Sequence, residues 1–135
     1  MAERILPAPG STPETEAFVA AAREGRFMLP HCDDCGRTHW YPRAVCPNCW
    51  STRLTWRPAS GRGTVYSHST LLRVDAPYTL AYVTLAEGPT MLTNLVGAAP
   101  EAWHIGMAVQ LRFQAAEDGT PVPVFAPAGG QPARV

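Results

Sequence analysis

The chain has 135 residues, 46% of them hydrophobic, and its 14 Pro and 11 Gly favour short strands and turns in one domain or two small modules. Its 11 basic residues are all Arg, so Schiff-base and general-base chemistry by lysine is excluded. The absence of Lys reflects either a function of arginine or the coding bias of the genome. The 11 acidic residues bring the net charge to zero, but the charge is unevenly distributed along the chain. Residues 23–62 carry seven Arg and three carboxylates, a local charge of +4. Arginines in such a stretch suit binding of phosphate or carboxylate.

Neither a targeting segment nor a membrane segment is predicted. The N-terminal sequence Met-Ala-Glu-Arg lacks the apolar run of a secretory peptide. The longest uncharged stretches are shorter than the ~18 apolar residues that a membrane helix needs. We therefore expect a soluble, cytoplasmic protein without membrane contact, in a reducing compartment where paired cysteines bind metal more often than they form disulfides.

Residues 1–26 are predicted to form an extended arm followed by a helix. Thr12 suits the N-cap, Pro13 suits the first helical position, and Gly25 suits the left-handed residue that ends a helix. Three turns are too few to be stable alone. The face that carries Phe18 must therefore pack against the rest of the chain or against a partner.

Residues 27–58 contain all the cysteines of the chain, in two Cys-x-x-Cys pairs separated by ten residues: Cys32, Cys35, Cys46 and Cys49. Two such pairs form two knuckles that together complete a tetrahedral thiolate site for a structural Zn²⁺, which leaves no position for a catalytic water. Iron is the alternative, and it is disfavoured because Trp50 follows the second pair where a small residue is expected beside a redox iron.

The other residues of this module are expected to support the metal site. His31 and His39 should lie outside the ligand set, at the surface or next to the ligands, because the cysteines complete that set. The aromatic residues are expected to form a small core, with ligand stacking as the alternative role: Phe27, Trp40, Tyr41, Trp50 and Trp56.

Residues 59–127 are predicted to form a five-stranded, partly open barrel of the OB type. The period-two segments that predict its strands are 62–73, 78–86, 89–97, 108–116 and 121–125. The last segment contains Pro and should take an edge or bulged position. Gly61-Arg62-Gly63 predicts a bulge or tight bend. Residues 128–135 are predicted to be a disordered tail.

No catalytic residues are predicted. With the cysteines bound to metal, a nucleophile would have to be Ser or Thr, with His68 or His104 as its base. The sequence has no Gly-x-Ser-x-Gly motif, and Ser67 and His68 would point to opposite faces of a strand. We therefore expect a binding or scaffolding protein that is not itself an enzyme.

Six short motifs stand in a fixed order: Cys32-x-x-Cys35-Gly36, Tyr41-Pro42-Arg43, Cys46-Pro47-x-Cys49, Gly61-Arg62-Gly63-Thr64-Val65-Tyr66-Ser67, Leu92-Thr93-Asn94-Leu95-Val96-Gly97 and Ile105-Gly106-Met107. Over residues 13–127 this order resembles the zinc-ribbon plus OB-fold family, a domain of unknown function, that is associated with acyl-CoA enzymes. The chain departs from the pattern at Trp50, where many members carry Gly.

The resemblance implies a mainly β fold with an N-terminal helix, a rubredoxin-like zinc ribbon and a five-stranded OB barrel. It also implies a non-catalytic subunit of a hetero-oligomer whose partner is a thiolase-like enzyme, an aldolase or an acyl-CoA hydratase. The barrel would contact that partner and help to enclose an acyl-CoA thioester. Within the basic stretch, we take Arg43 and Arg57 as candidates for binding the CoA phosphates.

A nucleic-acid-binding module is the alternative function, because zinc ribbons and OB folds both bind nucleic acids. The pI near 6.9 disfavours it. So does the lack of an array of exposed aromatic residues on the predicted strand 62–73, since base stacking needs such an array. We therefore expect no nucleic-acid partner. A stand-alone acyl-CoA carrier is a further alternative.

Overall fold

The computed structural model describes residues 4–129, in which, besides a 3-10 helix at Pro100–Ala102, one α-helix and seven strands form. They are, in chain order, α1 (Glu16–Arg23), β1 (Met28–Cys32), β2 (Leu54–Pro58), β3 (Arg62–Leu71), β4 (Tyr78–Leu85), β5 (Thr90–Leu95), β6 (Ala108–Ala115) and β7 (Pro121–Pro127). The fold class predicted from the sequence is confirmed. Most of the predicted disordered tail, from residue 130 onward, lies outside the described residues.

Helix α1 begins later than predicted. The N-cap is Thr15, not Thr12, because a tight turn stands between them: the Thr15 amide donates to the Thr12 carbonyl at 3.0 Å, and Thr15 Oγ1 accepts from the Thr12 amide at 3.1 Å. Helix α1 ends at Arg23, and Gly25 takes the predicted left-handed conformation beyond it, with a φ of +79°. No helix among residues 4–129 is long and apolar enough to cross a membrane.

Helix α1 packs against its own chain, which resolves the choice left open by the sequence. The ring of Phe18 contacts Trp40 of the ribbon edge-on, with a centroid distance of 5.0 Å, and Phe113 of β6 at 6.4 Å. Phe18 and Leu29 belong to the same buried cluster as the barrel residues Val65 and Phe125. Helix, ribbon and barrel therefore share one hydrophobic core.

The ribbon is built on the antiparallel pair β1 and β2, in register from Met28 opposite Pro58 to Cys32 opposite Leu54. The other five strands close a barrel in the order β3-β4-β5-β7-β6, so the barrel is closed where we predicted it partly open. Strand ends agree with the predicted ends to within two residues. Turns at residues 86–88 connect β4 to β5, and turns at residues 117–119 connect β6 to β7.

Two glycines allow close approach at the start of β3. Gly61 has a φ of +80°, and a Cβ there would lie 2.7 Å from Nε2 of Gln110, so the predicted bend is confirmed. Gly63 faces the barrel interior, where a Cβ would overlap Cγ1 of Val83. The bulge itself lies further along, where the pairing of β3 with β4 shifts at Tyr66.

Strand β7 lies between β5 and β6, so its predicted edge position is wrong. The carbonyl of Phe125 accepts from the Val96 amide at 2.8 Å, which shows that odd-numbered residues of β7 turn their backbone polar groups toward β5. Pro121, Pro123 and Pro127 are all odd-numbered. The N–H groups that these prolines lack would therefore point toward β5, so the hydrogen bonds between β7 and β6 are kept. On the other side, β7 pairs with β5 only through the parallel pair Leu95–Phe125.

Candidate metal centre and its surroundings

The two Cys-x-x-Cys segments fold into knuckles with the same backbone hydrogen bonds. In the first, the Gly36 amide donates to the Cys32 carbonyl at 2.9 Å. In the second, the Trp50 amide donates to the Cys46 carbonyl at 2.9 Å. Each knuckle directs both of its thiols toward the other knuckle. One cysteine of each pair is buried and one is exposed.

The four Sγ atoms lie within 4.8 Å of one another. The Sγ atoms of Cys32 and Cys49 are 3.5 Å apart, and those of Cys35 and Cys46 are 3.8 Å apart. A tetrahedron with metal–sulfur bonds of about 2.3 Å has edges of about 3.8 Å, so the sulfurs are spaced for one ion. The predicted cysteines form a metal site by geometry and by donor type.

The thiols of this cluster differ in how readily they ionise. Burial by itself would raise the pKa of Cys46, but the amides of Asn48 and Cys49 donate toward its sulfur and lower that pKa to about 7. The Ser51 amide favours the Cys49 thiolate, yet desolvation and the neighbouring sulfurs, Cys32 first, raise the pKa of Cys49 to about 12. Four thiolates therefore need a cation to ionise together.

Neither histidine of the ribbon belongs to the cysteine cluster, as predicted. Nδ1 of His31 lies 3.3 Å from Oγ1 of Thr38. His39 is 4% exposed, and neither of its ring nitrogens has a hydrogen-bond partner among the described residues. Burial, followed by the charge of Arg43, lowers the pKa of His39, so the ring is neutral at neutral pH.

The aromatic residues of the ribbon divide into two groups. Phe27 is buried, and Trp40 and Trp56 pack against the shared core, so these three residues have the core role that was predicted for them. Tyr41 and Trp50 are exposed and do not belong to that core. Trp50 is 80% exposed and has a φ of +68°, the left-handed conformation that disfavours any side chain with a Cβ.

The two arginines assigned to CoA phosphates are both exposed, but the structure does not place them in one cavity. Arg43 lines a cleft of about 500 Å³ between α1, the ribbon and the outside of the barrel, together with Phe18, Tyr41 and Leu92. Arg57 lies on β2 and does not line this cleft. Of the two arginines, only Arg43 therefore borders this cleft.

The polar residues weighed as catalytic groups are separated by the fold. Ser67 pairs with the outward-facing Tyr82, whereas His68 pairs with the buried Ala81, so their side chains lie on opposite faces of β3. His104 is exposed in the loop before β6.

One surface of the barrel was not predicted from the sequence. Tyr66, Tyr82 and Leu92 lie on the outside of β3, β4 and β5 and are 65%, 47% and 56% exposed. Tyr66 is an exposed aromatic residue on strand 62–73, which weakens the prediction against nucleic-acid binding that was based on that strand. The sequence feature that could have indicated this surface is the near absence of charged residues from these three strands.

Fold and site together define a class, a zinc ribbon joined to an OB barrel. Two family models match the chain in this order. Residues 19–55 match the rubredoxin-like zinc ribbon domain of ChsH2, and residues 56–114 match the C-terminal OB-fold domain of ChsH2.

The curated relatives that are similar in sequence include three with different descriptions. A probable enoyl-CoA hydratase alpha subunit from Thermomonospora curvata is 35% identical over 129 residues, which are 92% of this chain and 40% of the relative. A DUF35 domain-containing scaffold protein from Methanocaldococcus jannaschii is 33% identical, covering 65% of this chain and 68% of the relative. The benzoylsuccinyl-CoA thiolase subunit BbsA of Geobacter metallireducens is 36% identical, covering 49% and 47%.

Solved structures match as well, among them one that is similar both in fold and in sequence. It is described as the Ltp2-ChsH2(DUF35) aldolase, and its matched chain superimposes with a TM-score of 0.79 at 33% identity, covering 90% of this chain and 100% of that chain. The chain belongs to the DUF35 family, with the zinc ribbon and OB-fold domains of the ChsH2 type. It spans about 40% of the length of the hydratase subunit that it matches.

Proposed function

We propose that this chain is a non-catalytic, zinc-binding scaffold subunit of an acyl-CoA-processing complex in the cytoplasm. Its partner in a hetero-oligomer is a thiolase-like enzyme, an aldolase or an enoyl-CoA hydratase. The observation that carries the proposal is the match over 90% of this chain to the whole of a chain from an aldolase complex. Relatives named as a hydratase subunit and a thiolase subunit support the same class of partner.

Zinc is the ion that we assign to the four cysteines. An all-thiolate tetrahedral set is typical of structural Zn²⁺, and the sulfur separations of 3.5 Å and 3.8 Å suit its bond length. When bound, zinc would supply a closed cross-link between the two knuckles and no open coordination position. Its binding free energy would stabilise a segment that is too small to fold by itself.

The proposal includes direct contact between this chain and the CoA thioester. One Zn²⁺ and four thiolates together carry a charge of −2, so the stretch 23–62 keeps +2 of its +4 when the site is loaded. Arg43 and Arg57 are the assigned phosphate ligands, and the exposed guanidinium of Arg43 at the cleft is the better supported of the two.

The test is co-expression with each thiolase-like enzyme, aldolase or enoyl-CoA hydratase found encoded in the same genome. We expect one of them to copurify with the chain at a fixed ratio and to lose activity when the chain is omitted. A partner enzyme that is fully active and monodisperse alone would contradict the scaffold role. For the CoA contact, Arg43→Ala should raise the KM for the CoA substrate more than Arg37→Ala, which changes an arginine outside the cleft.

A further inference from the structure

The outer surface of β3, β4 and β5 is a continuous, three-stranded face. The pairing register places Ser67, Tyr82 and Leu92 side by side across the three strands. The next outward row is Ser69, Leu80 and Asn94. The row on the other side is Thr64, Thr84 and Thr90. We call these nine residues and the bulged Tyr66 the uncharged face.

This face has no charged side chain. The three strands, from Arg62–Leu71, Tyr78–Leu85 and Thr90–Leu95, contain one Arg, Asp or Glu, which is Arg62 at the first position of β3. His68, the one histidine, lies on the inward side with Ala81. A sheet surface that faces only water has no reason to omit charged residues along all three strands.

The centre of the uncharged face is large, apolar and exposed. Tyr82 lies directly opposite Leu92, and their exposed fractions are 47% and 56%. Tyr66 is 65% exposed at the bulge that shifts the pairing beside Tyr82. The loop that holds Ile105 lies along the same stretch of β3, because the Gly106 amide donates to the Val65 carbonyl at 2.8 Å.

The face continues into the cleft that Arg43 borders. Tyr82 and Leu92 line both the face and the cleft, and Tyr41 and Val19 form part of the cleft's far side. A flat apolar centre beside a recess of about 500 Å³ can receive a protruding side chain of another protein. Ribbon and barrel would then contact the same partner.

We propose that the uncharged face is the docking surface for the catalytic subunit, which deepens the proposed function and rests on it. Cores of protein–protein interfaces are depleted in charged residues and enriched in Tyr, as this face is. Nucleic acid fits it poorly, because phosphate contacts require Arg or Lys and the centre of the face has neither. The fitting partner surface is apolar and hydroxyl-rich at its centre, since a charge buried there would be unpaired.

The test compares two Leu→Arg variants in the copurified complex. Leu92→Arg places a charge at the centre of the uncharged face. Leu72→Arg places the same charge in the β3–β4 loop, where Leu72 is 65% exposed and outside the face. Both positions are exposed, so both variants should stay folded, which their thermal unfolding would verify. We expect Leu92→Arg to weaken the affinity for the enzyme by about tenfold or more and Leu72→Arg to leave it unchanged.

Other outcomes of this experiment would overturn the docking surface or assign it to a different partner. Equal affinities for wild type, Leu92→Arg and Leu72→Arg would overturn the docking surface while leaving the scaffold role in place. Failure of the wild-type chain to bind any encoded acyl-CoA enzyme would overturn both. A wild-type homodimer that Leu92→Arg converts to monomer would reassign the face to a second copy. Binding of a single-stranded oligonucleotide that Tyr82→Ser abolishes would reassign it to nucleic acid.

Discussion

Gly36 and Trp50 occupy the same position in the two cysteine knuckles, one residue after each pair, and both have a left-handed backbone, with φ of +76° and +68°. A glycine adopts this conformation without strain, whereas a residue with a Cβ is strained by roughly 1–2 kcal/mol. The hydrogen bond from the amide of each residue to the first cysteine of its pair is the same length in both knuckles, 2.9 Å. The knuckle therefore imposes the conformation, and Trp50 accommodates it.

Trp50→Gly should stabilise the folded chain. The variant loses little burial, because Trp50 is 80% exposed, and relief of the backbone strain should outweigh the greater flexibility of the unfolded chain. We expect the free energy of unfolding to rise by about 0.5–1 kcal/mol in urea titrations at saturating zinc. Gly36→Ala is the matched control and should lower it by a similar amount. A drop in stability for Trp50→Gly would show that the indole contributes packing that its exposure conceals.

Gly63→Ala should destabilise the barrel. The added Cβ would overlap Cγ1 of the fully buried Val83, and overpacking of this kind costs roughly 1–3 kcal/mol. The measurement is the free energy of unfolding of the single variants and of Gly63→Ala/Val83→Ala. The double variant should lose less than the sum of the two single losses, because truncating Val83 makes room for the added Cβ, which fills part of the cavity left by the truncation. Strict additivity would mean that the two positions do not touch.

Acidification should destabilise the folded chain in part through His39. Burial lowers the pKa of His39 in the folded state below the 6.5 of an exposed histidine, so the unfolded chain binds the extra proton first. Stability attributable to this ring is therefore complete above pH 6.5 and is lost as the pH falls from 6.5 toward the lowered folded value. His39→Leu should show a shallower loss of stability than wild type over this range. Protonation of the thiolates affects both proteins alike, so parallel profiles would contradict the assignment.

Cys46→Ser should remove the metal and unfold the ribbon. Three thiolates leave the ion without its fourth ligand, and the knuckles have no other covalent or coordinate link between them. We expect bound zinc, measured by mass spectrometry of the native protein, to fall from one ion to much less than one per chain, with weaker binding of the enzyme partner. His31→Ala is the control and should retain full zinc, because His31 lies outside the sulfur cluster. Retention of both metal and complex by Cys46→Ser would contradict the closed thiolate site.

Features encoded by short stretches of sequence could be predicted. The cysteine site depends on two local spacings, and the end of α1 depends on Gly25 alone, so both were found without knowledge of the fold. The place of β7 depends on which side of the strand its prolines face, and that follows from its register with β6. We therefore predicted an edge position for β7, which lies between two other strands.

The uncharged face was missed for a related reason. Tyr66 and Tyr82 are brought beside each other by a bulge in β3, and neither residue alone indicates a surface. The separation of Arg43 from Arg57 was likewise invisible, because a cleft is formed by three elements that are distant in sequence. Long-range placement decided each of these outcomes.

The central claim, that this chain is a scaffold for an acyl-CoA enzyme, is tested most directly by titrating the zinc-loaded chain into the isolated partner enzyme and measuring turnover of its CoA substrate. Turnover should rise and saturate at a fixed molar ratio of the two chains, and Leu92→Arg should require about tenfold more protein for the same effect. Turnover that is maximal before any of this chain is added, and unchanged throughout the titration, would contradict the account.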